Sequence, residues 1–137
     1  MGGGEIVAIK LANSLKENGE NVRVWCPQEG ASADAARAHG LAVEVLGYDP
    51  SIPPNFRIFT KTWLRTRFNR NYRDPTLIHC HSPFCYQRLS KGIPKQVKKV
   101  AHVHIEEHMD LFPWLFKHAP DTIITCASFL VGATLDS

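Results

Sequence analysis

No apolar stretch of this 137-residue chain approaches the roughly 18 residues that a membrane-crossing helix needs. The basic and apolar regions of a secretory leader are missing too, since glycines and a glutamate follow Met1. The four cysteines, Cys26, Cys80, Cys85 and Cys126, form no Cys-x-x-Cys pair and show no scaffold spacing, which argues against a disulfide framework. Cys26, Cys80 and Cys126 each end an apolar run, so they read as small buried hydrophobes in a reducing compartment, with cytoplasm the expected location. There is no internal repeat and no low-complexity segment beyond Gly2-Gly3-Gly4, which excludes solenoids and fibrous architectures. Acidic residues are absent from 57–73, a segment that holds Arg57, Lys61, Arg65, Arg67, Arg70 and Arg73. The net charge of +3 is therefore a local basic patch on an otherwise acidic chain.

What remains is ordinary for one globular domain: 44% hydrophobic and 21% charged residues, enough to bury a core rather than stay disordered. Apolar runs of strand length alternate with helical pieces. Strands are predicted at Asn21–Cys26, Leu41–Leu46, Thr76–Cys80, Val100–His104 and Thr122–Cys126. Helices are predicted at 6–19, at Ala33–His39 before Gly40, and from Pro53-Pro54 to about Tyr72, where proline suits the first turn. This alternation implies a parallel sheet flanked by helices, an α/β architecture of the Rossmann-like kind.

The opening is unusual for that class, because Gly2-Gly3-Gly4-Glu5 enters a helix with no strand before it. Glycines there would allow positive φ and a close approach of backbone to a ligand. The first helical turn would offer free N–H groups to a phosphate or a sugar hydroxyl. Glu5 is equally well explained as a first-turn acid on the helix dipole. Parallel sheets bind ligands where strands end and lead into helices. His81-Ser82 follows one such strand, His104 with Glu106, Glu107 and His108 another, and Ser128 a third, so polar groups gather on one rim.

With these positions in place, the chain resembles the amino-terminal domain of glycosyltransferase family 4, the group 1 glycosyltransferases. Gly2-Gly3-Gly4-Glu5, Leu11-Ala12, Leu15, Gly19 and Val22 follow that family's opening, and Pro27 closes the next strand. Leu41–Leu46 matches its short third strand after a glycine. Leu77-Ile78-His79-Cys80-His81-Ser82 matches its apolar strand ending in His-x-His, with Asp74-Pro75-Thr76 slightly displaced from the usual Asp. Val100–His104 is similar to the strand that ends in its active-site histidine, and Ile123–Ser128 to the strand entering the helix with Phe129.

The resemblance implies the acceptor-side half of a two-domain GT-B enzyme, lacking the first strand and the donor-binding carboxyl-terminal domain. Residues 1–137 would then be a single domain incomplete at both ends, and inactive alone. The implied reaction moves a hexosyl group from a nucleotide-sugar to an acceptor hydroxyl with retention, the donor being a co-substrate and no metal or cofactor being needed. His104 would be the catalytic residue that positions the sugar, while Gly2, Gly3, Glu5, His81, Ser82, Glu107 and Ser128 would contact substrate. The family's sheet order, third-second-first-fourth-fifth, would leave open strand edges in this chain and favour a homo-oligomer.

Other readings stay open. His79-x-His81 and His102-x-His104-x3-His108, with Glu106 and Glu107, have the look of metallohydrolase ligand pairs. His79 and His102 otherwise read as structural, set back into the sheet. The stripe Phe56, Phe59, Trp63, Leu64 and Phe68 packs on a sheet or, with its arginines, touches anionic lipid over 54–73, making the protein peripheral to a membrane. No nucleic-acid-binding fold accompanies that patch. A non-catalytic subunit that binds acceptor or membrane is the alternative of a different class.

Overall fold

A computed structural model describes residues 2–47, 76–104 and 112–126. The expected helix over 54–72 lies outside the described residues, as do Glu107 and Ser128. The chain divides into two compact units, residues 1–53 and 54–137. Both have the parallel strands and flanking helices of a Rossmann-like α/β fold.

The first unit runs α1 (Gly3–Glu17), β1 (Arg23–Cys26), α2 (Ala31–Ala38) and β2 (Ala42–Val45). β1 and β2 pair in parallel, with Arg23 opposite Ala42 and Cys26 opposite Val45. Ile9 and Ala12 of α1 are buried with Ala36 and Leu41, and Val22, Val24, Ala35 and Val43 pack against them. Both helices stop in the same way. Glu20 N–H reaches Leu15 O and Gly19 N–H reaches Lys16 O, while Leu41 N–H reaches Ala36 O and Gly40 N–H reaches Arg37 O. These paired bonds are Schellman caps. They need a left-handed residue just past the helix, which Gly19 (φ 89°) and Gly40 (φ 65°) supply without a Cβ penalty.

The start of α1 corrects the expectation of a glycine loop. Gly2 is extended at φ −91°, and Gly3 and Gly4 already belong to the helix. None of the three has positive φ, and a Cβ on Gly3 would meet nothing within 4 Å. The Glu5 carboxylate accepts a hydrogen bond from Gly2 N–H, so a local acid satisfies a donor at this helix end.

The second unit runs β3 (Leu77–Cys80), α3 (Pro83–Leu89), β4 (Lys98–Val103), α4 (Phe112–Leu115) and β5 (Thr122–Thr125). Its strands pair in parallel in the order β3-β4-β5. Cys80 lies opposite Ala101, and Ala101 opposite Ile123. β4 begins two residues earlier than its apolar run, because Lys98 N–H donates to Thr76 O and Lys99 N–H to the Asp121 carboxylate at 2.9 Å. Asp121 N–H donates in turn to Lys99 O at 2.8 Å, which pins β5 to β4.

Period-two alternation gives this sheet two unlike faces. On one lie Cys80, Ala101 and Val103, all buried, and α3 covers them: Cys85 hydrogen-bonds Cys80, and Tyr86 and Leu89 are buried. The Tyr86 hydroxyl donates to His118 O and its ring tilts against Phe116. The other face carries every described histidine of this unit except His118. Among the described residues no helix is long and apolar enough to cross a membrane.

Candidate functional site

β3 places His79 within the strand and His81 just after it, and β4 does the same with His102 and His104. Residues two apart share a face, and the parallel register brings the two strands' imidazoles side by side. Ring centroids are 4.2 Å apart for His79 and His81, and 4.0 Å for His102 and His104, both pairs stacked. Across the strands His81 lies 5.1 Å from His102 and 5.7 Å from His104. At the end of β5, Cys126 joins the same column. Its Sγ is 3.2 Å from His104 Nδ1, 3.8 Å from His102 Nε2 and 3.4 Å from Val103 O.

The electrostatics of the column are those of crowded neutral rings. Burial pushes the His81 pKa down to about 3, helped by repulsion from His79, His102 and His104. Burial likewise takes His102 down to about 4, with His104 and His79 adding to the effect. His79 is lowered by burial and by His104, and His104 by burial. At neutral pH the four imidazoles are uncharged, each with one N–H and one lone pair. Among the described residues, His79 Nε2, His81 Nδ1, His102 Nδ1 and His104 Nε2 are buried without a hydrogen-bond partner. Each such orphan costs about 1–3 kcal/mol.

The predicted site residues divide accordingly. His81 and His104 are brought together at the carboxyl ends of β3 and β4. Ser82 stands beside them as the N-cap of α3, its hydroxyl accepting from Cys85 N–H at 3.5 Å, with Pro83 at the first helical position. Gly2, Gly3 and Glu5 belong to the other unit, at the start of α1.

Three further residues stand in or against the column. His79 and His102, which read from sequence as structural or as metallohydrolase ligand pairs, are both members of it. Cys126 is exposed and contacts two rings, which corrects its reading as a buried hydrophobe, whereas Cys26 and Cys80 are buried as expected. The signal lay in phase: positions 79, 81, 102, 104 and 126 alternate in step once three parallel strands are aligned.

Comparison with protein families matches residues 1–131 to Glycosyltransferase Family 4. The chain belongs to that family. The match spans both units and fits the parallel sheets flanked by helices that a GT-B domain requires. No curated protein and no solved structure matches the chain. As a family 4 glycosyltransferase domain, it carries its strand-end histidines where α/β sheets bind ligands.

Proposed function

We propose that this family 4 domain forms the acceptor side of a retaining glycosyltransferase, which moves a hexosyl group from a nucleotide-sugar to an acceptor hydroxyl. The observation that carries the reading is His104. It is a half-buried imidazole at the carboxyl end of β4, kept neutral by burial and adjoining His81. A neutral imidazole both donates and accepts hydrogen bonds, which suits a sugar hydroxyl or the acceptor hydroxyl. In this reading His104 positions the transferring sugar, and His81 and Ser82 line the acceptor cleft beside it. Glu107 and Ser128 would add polar contacts on the same rim. The donor's diphosphate is held by a separate carboxyl-terminal domain, so the 137-residue chain by itself forms no product. Gly2, Gly3 and Glu5 contribute to substrate binding through backbone N–H groups at the α1 N-terminus, since the Glu5 carboxylate is engaged with Gly2.

The test is His104→Ala in a two-domain enzyme that carries this domain. A contact made to a reacting group is worth on the order of 2–4 kcal/mol, so turnover should fall tens to hundreds of fold. The thermal midpoint should hardly move. Unchanged turnover would remove His104 from the chemistry, and product formation by the 137-residue chain over a panel of donors would overturn the half-enzyme reading.

A further inference from the structure

We propose that His102, His104 and Cys126 form a binding site for one divalent transition-metal ion of the zinc class, through two imidazole nitrogens and one thiolate. The inference departs from the metal-free expectation attached to the family resemblance. It does not rest on the sugar-transfer reading, because it is measured without any sugar.

Geometry is the first argument. One potential ligand atom from each of the three residues lies within 4.8 Å of the other two. Around tetrahedral zinc, bonds of about 2.05 Å to nitrogen and about 2.3 Å to sulfur set those ligands about 3.6 Å apart. The distances from Cys126 Sγ, 3.2 Å to His104 Nδ1 and 3.8 Å to His102 Nε2, bracket that value.

Chemistry and placement agree with it. Thiolate with imidazole favours zinc, cobalt or copper over magnesium and calcium, which take oxygen ligands. His102 and His104 lie on or just past β4, and Cys126 follows β5, its N–H donating to Val103 O at 3.3 Å. Two paired strands therefore hold the ligands in position before any ion arrives. On binding, the thiol proton passes to solvent and the sulfur lone pair forms the metal bond, while the imidazoles release no proton. Three protein ligands leave a fourth position for water or a substrate oxygen. His79 and His81 form a second triad with His102, which makes His102 the hub of the column.

The full 137-residue chain, reduced and stripped with chelator, would be titrated with Co2+ and then with Zn2+. One Co2+ per chain should bind with a thiolate-to-cobalt charge-transfer band, and one equivalent of Zn2+ should bleach it. Cys126 is exposed, so Cys126→Ser should keep its far-ultraviolet circular dichroism while losing the band and at least ~10-fold in affinity, the lower end even for outer-shell changes. His102→Ala should weaken binding as strongly. An ion lost on a desalting column overturns the site. So does a band that survives Cys126→Ser, which would place the metal on another thiol, or binding that His79→Ala abolishes and Cys126→Ser leaves intact, which would place it on the all-imidazole triad.

Discussion

Lowering the pH of the metal-stripped protein should destabilise it through the imidazole column, well before its carboxylates protonate. His81 and His102 hold folded pKa values of about 3 and about 4, whereas an unfolded histidine titrates near 6.5. Above about pH 6.5 both states are neutral at these positions, and the column adds no pH dependence. Below it the unfolded chain takes up protons that the folded chain refuses, so stability falls as pH falls, levelling only near the folded values. At pH 5 each unfolded histidine has gained about 2 kcal/mol by protonation. Half-buried His81 is screened by solvent, and about half of its share should survive. The pair therefore predicts a loss of roughly 2–4 kcal/mol between pH 7 and pH 5, against a total stability on the order of 5–15 kcal/mol. His79 and His104 act in the same direction, since burial lowers both. Urea unfolding at half-unit pH steps measures the slope, and His81→Asn should reduce it by about half a proton. A loss below about 0.5 kcal/mol, or His81 and His102 ring resonances titrating near 6.5, would refute the reasoning.

Two further outcomes test the cores of the two units. Tyr86 is fully buried with its hydroxyl on His118 O, and burial pushes its pKa up to about 12; Tyr86→Phe should cost about 1 kcal/mol in urea midpoint with an unchanged slope, and no loss would dismiss that bond as a stabilising contact. Gly40→Ala forces a Cβ into a left-handed conformation, with Lys16 Nζ 3.0 Å away; a loss of about 1–2 kcal/mol is expected by thermal unfolding, and a neutral result would mean α2 ends differently.

Much of the fold was legible because local chemistry and tertiary placement agree. All five predicted strands form, within two residues of their expected ends, since each is a short apolar run bounded by glycine, proline or polar residues. Within each sheet the strands keep the neighbours expected from the family order, β2 beside β1 and β3 beside β4. The glycine opening misled because three glycines suggest a loop, whereas a Glu5 carboxylate on Gly2 N–H is enough to start the helix inside the glycine run. His81 and His104 were found as strand-end polar residues. The metal-ligand reading pairs His79 and His102 with them along each strand, but the two strands' pairs and Cys126 are not joined across the sheet, because inter-strand register is non-local and a run such as Ile123-Ile124-Thr125-Cys126 reads as buried until its neighbours are known.

The two-faced sheet of the second unit has a consequence for folding fidelity. Along β4 and the residue after it, Ala101 and Val103 alternate with His102 and His104, so a one-residue slip against β3 would exchange every side chain between faces. Two imidazoles would then be driven under α3 against Tyr86 and Leu89, and Ala101 and Val103 would be turned out onto the histidine side. Each misplaced ring would lose its stacking partner and its contact with Cys126, on top of the lost aliphatic packing. The histidines thus act as a registration key, penalising the near-miss pairing that short parallel strands of aliphatic residues would otherwise sample during assembly.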